Sequence, residues 1–435
     1  MKAYQAYADL LQAFARELGT RGVESGSERY AQLRAALDGQ AEEQLRASVP
    51  LAKRKATGAF FTSTRLARSL WEPVLDSLDD RSVVIDPACG AGTLLIPPLV
   101  ALAEQHVPTR HLVTLVRGRD REPAFVDTAR ARLAMALLYE RQRSGVREKI
   151  SPDDFDQIRI SNFGDDGHSD LNSATHIVLN PPFCAAPAPE NCEWSSGNVN
   201  SAAVFVHECL SSVKAETQLI AILPDVLRSG SRYAKWRDLI ECMSGEVTTR
   251  SQGQFDKHTD VHVFFLYLKK ASHERRVDSE KVATDDSCQT IRTIGDLFHV
   301  SVGPVVPHRH IESGPPAPFV TARDLPVNAE VSQISAIRRF TGRLERPPLV
   351  VIRRTSRPGE TPRARATIVK GSQPLAVDNH LIILRPRSGT VRDCRRLVAL
   401  LNAVTTSKWI DERYQCRHLP VSALRDFPWH DPGAQ

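Results

Sequence analysis

Asn180, Pro181, Pro182 and Phe183 follow one another directly behind the apolar run His176-Ile-Val-Leu179. Two consecutive prolines fix the backbone and leave two carbonyls without local N–H competition. The Asn180 side chain offers a carbonyl oxygen as acceptor, and Phe183 offers a flat apolar face. These parts suit an amino group on a planar heteroaromatic ring, with acceptors for its hydrogens and a surface for the ring. Read alone, the same four residues also describe a plain turn.

A second candidate lies upstream, where Asp86-Pro-Ala-Cys-Gly-Ala-Gly92 follows the strand-like Ser82-Val-Val-Ile-Asp86. Two glycines in a strand-to-helix turn permit close backbone approach to a ligand. The turn lacks the Gly-Lys-Ser/Thr ending of a phosphate loop and is not a full GxGxxG, so a nucleotide site and a structural tight turn both remain open. The next apolar run ends at Val116-Arg-Gly-Arg-Asp120. An acid at the end of a second strand is placed to accept from both hydroxyls of a ribose. The same acid could instead cap the helix opening near Glu122.

Several elements must position these residues. Residues 1–50 read as two helices, the first carrying Tyr7, Leu10, Leu11, Phe14 and Leu18 at helical spacing, the second running from Ser27 to about Ala47. From 51 to 270, short apolar runs alternate with amphipathic stretches: Ser82–Asp86, His111–Val116, His176–Leu179, Gln218–Leu223 and Val261–Tyr267 are strand-like, while Glu122–Tyr139 and Ala202–Lys214 are helical. Such alternation predicts a parallel sheet covered on both faces, with ligands beyond the carboxyl ends of its strands. Residues 271–290 are polar and read as a linker. Beyond them come short β-rich runs at Phe298–Val302, Pro348–Ile352 and His380–Leu384, then one helix from Val391 to about Trp409.

With 41% hydrophobic and 25% charged residues, the composition is that of a globular protein. No apolar run approaches the ~20 residues a membrane helix needs, and the opening residues lack a signal-peptide core, so the cytoplasm is expected. The eight cysteines form no CxxC pair, which predicts reduced thiols; Cys184 and Cys192 fit no zinc-ligand spacing, and no metal is expected. The formal charge of +6 is unevenly spread. Residues 331–435 carry 19 Lys and Arg against 8 Asp and Glu. Such a surplus suits a polyanionic partner, although an Arg-rich solvated surface has the same composition.

Taken in order, these motifs resemble the gamma group of amino-methylating DNA methyltransferases. Lys55-Ala-Thr-Gly58-Ala-Phe60-Phe61-Thr62 is similar to that group's opening cofactor motif, Asp86 to Thr93 to its glycine motif, and Asn180 to Phe183 to its catalytic motif. Gln218 to Pro224 and Gln254-Phe255, with the strand from Val261, continue the likeness across residues 51–270. More loosely, residues 291–435 resemble a target-recognition module of type I restriction specificity subunits, through Pro348–Thr355, Ala376–Leu384 and His418–Pro428.

The resemblance implies an α/β fold: a doubly wound, Rossmann-like S-adenosylmethionine-dependent methyltransferase sheet at 51–270, an N-terminal helical segment at 1–50, a linker at 271–290 and a basic α+β DNA target-recognition domain at 291–435. It implies site-specific methylation of adenine N6, with the base flipped out of the duplex, in a restriction-modification or defence system. S-adenosylmethionine would lie on Ala88, Gly90 and Gly92, with Asp120 on its ribose, Phe61 and Thr62 closing the methionine side, Asp86 near the sulfonium and amino group, and Asp165, preferred over Asp166, at its adenine. Asn180 and Pro181 would accept the amino hydrogens, with Pro182 completing the rigid turn. Phe183 and Phe255 would take the two faces of the base. Double-stranded DNA would run past Arg353, Arg354, Arg363 and Arg365, and a restriction or specificity subunit is a further expected partner. No metal and no covalent enzyme intermediate are required.

Two positions depart from the pattern. Ser63 stands where proline usually follows Thr62, which should slightly loosen that turn, and His176 stands where an Asp usually opens the strand. Both would fit a non-catalytic DNA-binding subunit with a degenerate body. Enzymes that methylate a glutamine amide of release factors share an Asn-Pro-Pro-aromatic segment but lack a long basic C-terminal domain.

Overall fold

The computed structural model describes residues 2–429 except 25, 165–169, 191, 257–258, 273–291, 324, 358 and 415–418. Most of the expected linker, Asp165, Asp166 and His418 therefore lie outside the described residues. The chain divides into two compact units, Met1–Leu227 with Tyr233–Asp278 and Arg228–Arg232 with Ser279–Gln435.

The first unit opens with α1 (Lys2–Arg21), α2 (Glu28–Leu37), α3 (Gln40–Ser48) and α4 (Leu51–Thr57). Two helices were expected up to residue 50, and three form. The second stretch breaks at Asp38-Gly39, where Gly39 takes φ +86°, a left-handed conformation that interrupts an α-helix at little cost to glycine.

Next come α5 (Thr64–Trp71), β1 (Val84–Asp86), α6 (Ile96–Glu104), α7 (Thr109–Leu115), β2 (Val116–Asp120), α8 (Pro123–Arg143), β3 (Ile158–Ile160) and β4 (His176–Leu179). A small antiparallel pair, β5 (Ala185–Pro187) and β6 (Asn198–Asn200), leads to α9 (Ser201–Ser212), then β7 (Gln218–Pro224), β8 (Ser244–Asp256) and β9 (Thr259–Lys270). The run His111–Val116, expected as strand, is the last turn of α7 followed by the first residue of β2. Leu112 and Leu115, three apart, face the core, and the strand starts only at Val116.

Seven strands form one sheet in the order β3-β2-β1-β4-β7-β9-β8. Its first five are parallel, and the β8–β9 hairpin closes one edge antiparallel. One apolar core, with Trp71, Leu99 and Leu133, covers one face of the sheet. A second, with Val206, Leu210 and Trp236, covers the other. A sheet buried on both faces explains why β1 and β4 read as unbroken apolar runs. This is the expected doubly wound α/β architecture.

The second unit is α+β, as expected. A five-stranded sheet has the order β10-β17-β14-β15-β12, with β10 (Phe298–Val302), β12 (Glu330–Val331), β14 (Leu349–Arg353), β15 (Ala366–Val369) and β17 (Leu381–Pro386). A smaller sheet pairs β11 (Pro316–Val320) with β13 (Ile337–Arg339) and β16 (Ala376–Val377). The single helix expected from Val391 is two, Val391–Asn402 and Val404–Arg413, because Ala403 leaves the helical region at ψ 139°. Both pack on the larger sheet through Leu397, Leu401 and Ile410.

Candidate active site

Four adjacent parallel strands end on one edge of the first unit's sheet. Asp86 closes β1 and Asp120 closes β2; Ser161 follows β3 and Asn180 follows β4. Strand polarity alone therefore gathers residues from four distant stretches of sequence.

The glycine turn is held from both sides. The Ala88 N–H donates to Asp86 Oδ1 at 3.0 Å, and the Gly90 N–H donates to Asp120 Oδ2 at 2.9 Å. Asp120 Oδ1 accepts the Glu122 N–H, also at 2.9 Å, at the opening of α8. Asp120 thus holds the residue that precedes α8 and ties down the turn, while each carboxylate oxygen keeps a lone pair. Gly90 has φ +51°, and a Cβ there would lie 3.0 Å from the Phe61 ring. At Gly92, φ +75°, a Cβ would lie 3.0 Å from that of Ala129. Both positions need glycine for conformation and for room.

Burial pushes the Asp86 carboxyl up to about 8; the Ala88 N–H opposes the shift and the nearby Asp120 charge adds to it. Asp120 is also raised, by burial first, against the N–H donors of Glu122 and Gly90. Behind the turn lies Arg132 of α8, 1% exposed. Its guanidinium donates to the carbonyls of Ala91 (2.6 Å), Ala36 (2.9 Å) and Leu37 (3.2 Å) and to Thr93 Oγ1 (2.7 Å). One buried side chain thereby joins the carboxyl end of α2 to the glycine turn, and burial lowers its pKa.

Asn180 Nδ2 donates to Thr62 Oγ1 at 2.8 Å and to the Phe60 carbonyl at 3.3 Å. A carbonyl only accepts, so the amide NH2 must face it, and Oδ1 accepts no hydrogen bond among the described residues. The loop beyond is fixed by α9: Ser201 Oγ donates to the Pro182 carbonyl at 2.5 Å and Asn200 Nδ2 to that of Phe183 at 3.3 Å. Asn200 Oδ1 also caps α9 through the Ala202 N–H, 3.0 Å away. No hydrogen bond among the described residues reaches the Pro181 carbonyl. Gly58, at φ +67°, presses on this loop, and a Cβ there would lie 2.2 Å from that of Pro182.

A crevice of about 320 Å³ opens at these strand ends. Ala88, Gly90, Phe61, Asp120, Asn180 and Pro182 line it. An adjoining space of about 30 Å³ is lined by Asp86, Thr62, Phe60, Cys89 and again Asn180. Gly92, Pro181, Phe183 and Phe255 line neither. The Phe183 and Phe255 rings are neighbours, centroids 6.1 Å apart, but perpendicular at 78°. As they stand they are not two parallel plates for one base.

Sequence reasoning missed much of the wall. Phe163 and Phe205 stack at 3.9 Å and 11°, and both border the crevice beside Ser161 and Asn162. Leu45, Val49 and Lys53 bring α3 and α4 to the opposite side. The apolar spacing of Leu45 and Val49 (i, i+4) was a usable signal for a buried face; nothing in the pattern pointed to the ligand side.

The departures from the resembled motif are structural. Ser63 caps α5, its Oγ accepting the Leu66 N–H at 3.3 Å, so a hydrogen bond holds the turn that proline would otherwise stiffen. His176 sits buried at the amino end of β4, the opposite end from Asn180. Thr175 Oγ1 and Ser77 Oγ lie 2.8 and 3.2 Å from its ring nitrogens, and burial pushes its pKa down to about 4.

In the second unit the four arginines expected on a DNA path differ sharply. Arg363 is 0% exposed, paired with Asp411 at 2.5 Å and donating to the Ser356 carbonyl; it is a core residue, which corrects that expectation. Arg365 pairs with Glu360 at 3.3 Å. Arg353 and Arg354 are half-buried and donate to the carbonyls of Leu325 (2.8 Å) and Asn379 (3.2 Å).

The strand order, with its crevice at the carboxyl ends of the parallel strands, defines a doubly wound methyltransferase fold. The family described as N-6 DNA Methylase matches residues 37–282, and the chain belongs to that family. Among solved structures it is similar to the type IIL restriction-modification enzyme MmeI in complex with DNA (TM-score 0.53, 12% identity, 99% of this chain and 80% of that one). Weaker likenesses are to the type IIG restriction endonuclease BpuSI (TM-score 0.46, 13% identity, 99% and 67%) and to a modification subunit of a putative type I restriction enzyme from Vibrio vulnificus YJ016 (TM-score 0.41, 16% identity, 57% and 51%). The chain thus spans about two thirds of the BpuSI chain and half of the Vibrio subunit. No curated protein matches it. Among the described residues, no helix is long and apolar enough to cross a membrane, and no three or more His, Cys, Asp or Glu gather as a metal site.

Proposed function

We propose that this chain is an S-adenosylmethionine-dependent methyltransferase of the gamma type that modifies adenine N6 in duplex DNA, as the modification arm of a restriction-modification or defence system. The observation that carries the reading is the orientation of Asn180, whose amide nitrogen is spent on Phe60 and Thr62 and whose oxygen accepts no hydrogen bond among the described residues.

The residues present fit the cofactor. The crevice matches the volume of a mid-sized ligand. Gly90 leaves space that a side chain would fill. Asp120 keeps lone pairs for ribose hydroxyls, Ala88 and Phe61 line the path, and Thr62 and Asp86 border the smaller space where a cationic group gains from a carboxylate. Ser161, Asn162 and the Phe163–Phe205 pair line the part of the crevice suited to the adenine. When bound, S-adenosylmethionine supplies an electrophilic methyl group on a sulfonium.

An amino group paired inside a duplex is inaccessible, so the target base must leave the stack. Asn180 Oδ1 and the Pro181 carbonyl then accept its two hydrogens, drawing the nitrogen lone pair out of conjugation. Phe183 offers one face of the base a platform, and Phe255 must turn to offer the other. Positioning and directed acceptors do the work.

The test is labelled-methyl transfer by the purified chain to unmethylated DNA, with the product nucleosides separated. N6-methyladenine is the expected product. Label on a protein glutamine instead, or cofactor binding without transfer to any DNA, would overturn the reading.

A further inference from the structure

On the second unit, β10 pairs antiparallel with β17 so that His299 stands directly opposite Arg385. Their neighbours Phe298 and Pro386 turn into the core, which leaves His299, Arg385 and, two residues on, Arg387 exposed on the opposite face. Arg346, from the turn before β14, closes the group, and together they line an open crevice of about 310 Å³ with Ser388 and Gly389 at its side. No Asp or Glu lines it. Other cations of this unit are paired: Arg338 with Glu312, Arg343 with Glu345, and Lys370 and Arg395 both with Glu330. Among the described residues, Arg346, Arg385 and Arg387 have no ion-pair partner. Arg387 donates to His299 Nε2 at 3.4 Å and to the Gly295 carbonyl at 3.2 Å, and its charge helps lower the pKa of Asp296, after the hydrogen bonds from Thr293.

We propose that this crevice, built by Arg346, Arg385, Arg387 and His299, grips the phosphodiester backbone of duplex DNA. The proposal rests on the reading of the chain as a DNA methyltransferase, and it moves the backbone contact away from Arg363 and Arg365. Three guanidinium groups converging on one hollow without a carboxylate favour a ligand with closely spaced negative charges. No Phe, Tyr or Trp lines the hollow to stack a base, so it holds the strand without reading it.

The full chain carrying Arg346→Gln, Arg385→Gln and Arg387→Gln tests this. Its duplex affinity should fall, and the slope of log affinity against log salt should shrink by about 2–3, since each phosphate contact contributes about 0.9. The loss should be equal on methylatable and non-methylatable duplexes. The triple Lys variant keeps the charge and should restore the slope, which separates charge from folding. Cofactor binding should be unaffected, and methyl transfer should recover at low salt. An unchanged slope in the Gln variant, with the native chain methylating DNA, would overturn this site alone. A native chain that methylates no DNA would instead overturn the functional reading beneath it.

Discussion

The side-chain nitrogen of Asn180 lies 2.8 Å from the hydroxyl oxygen of Thr62. With the Phe60 carbonyl at 3.3 Å, this contact decides which end of the amide meets the ligand. On the proposed function, Thr62 is thereby a positioning residue, acting through Asn180.

Replacing Asn180 by Ala should lower methyl transfer by about 10³-fold, the upper range for removing one directed polar contact in an active site, while cofactor affinity stays within a few-fold. Thr62→Val keeps the shape and frees the amide to turn. Turnover should then fall about tenfold, equivalent to about 1.4 kcal/mol. Single-turnover kinetics beside calorimetric cofactor binding reads both. Normal turnover in Asn180→Ala would remove that residue from the chemistry.

The Asp86 carboxyl, pushed up to about 8 by burial, holds its proton at neutral pH in the free protein. A cationic ligand group beside it favours the ionised form, so binding below about pH 8 expels a proton. Cofactor affinity should rise with pH and level off above about 8, and Asp86→Asn should flatten the rise. Calorimetry in buffers of different ionisation heat counts the proton directly. Identical profiles for both proteins would dismiss the role.

Arg132 has no ion-pair partner among the described residues, so removing it relieves a desolvated charge but leaves the carbonyls of Ala36 and Ala91 without this donor, while that of Leu37 keeps the Thr64 hydroxyl. Each abandoned acceptor costs about 1–3 kcal/mol, so the balance for Arg132→Met should be a loss of about 2 kcal/mol or more. Cofactor affinity should drop with it, because the glycine turn loses its rear support. Urea unfolding and cofactor titration measure the two effects. A native unfolding midpoint would show the clamp to be idle.

Arg363→Gln should act on stability rather than on DNA contact. Losing one member of a buried ion pair costs about 3–5 kcal/mol, and the Asp411 carboxylate, 22% exposed, would keep little compensating solvent. Thermal unfolding should register the change in the second unit, while the salt slope of DNA binding at matched folded fraction should hold. A reduced slope would return Arg363 to the DNA path.

The strand ends were legible because chemistry and architecture coincide there. An apolar run, a glycine or proline turn and an acid or amide in fixed order mark Asp86, Asp120 and Asn180 without any knowledge of contacts. β3 escaped notice because it has only three residues and two of them are exposed. α7 was mistaken for strand because an apolar run of six has no period long enough to choose between helix and strand. Arg132 and Arg363 were illegible for a different reason. Charge predicts exposure, and only the assembled carbonyls around them reverse that preference.

Tyr4 of α1 is fully buried and meets the rings of Phe61 and Phe125, centroids 5.9 and 5.3 Å away, both of which line the crevice. The crevice therefore has part of its foundation outside the stretch from 37 to 282 that carries the family likeness. Excising only that stretch would preserve every signature residue yet leave two aromatic panels unbraced. In this protein α1 is masonry of the crevice wall, and on the proposed function its loss should be felt first as a weakened hold on the methyl donor.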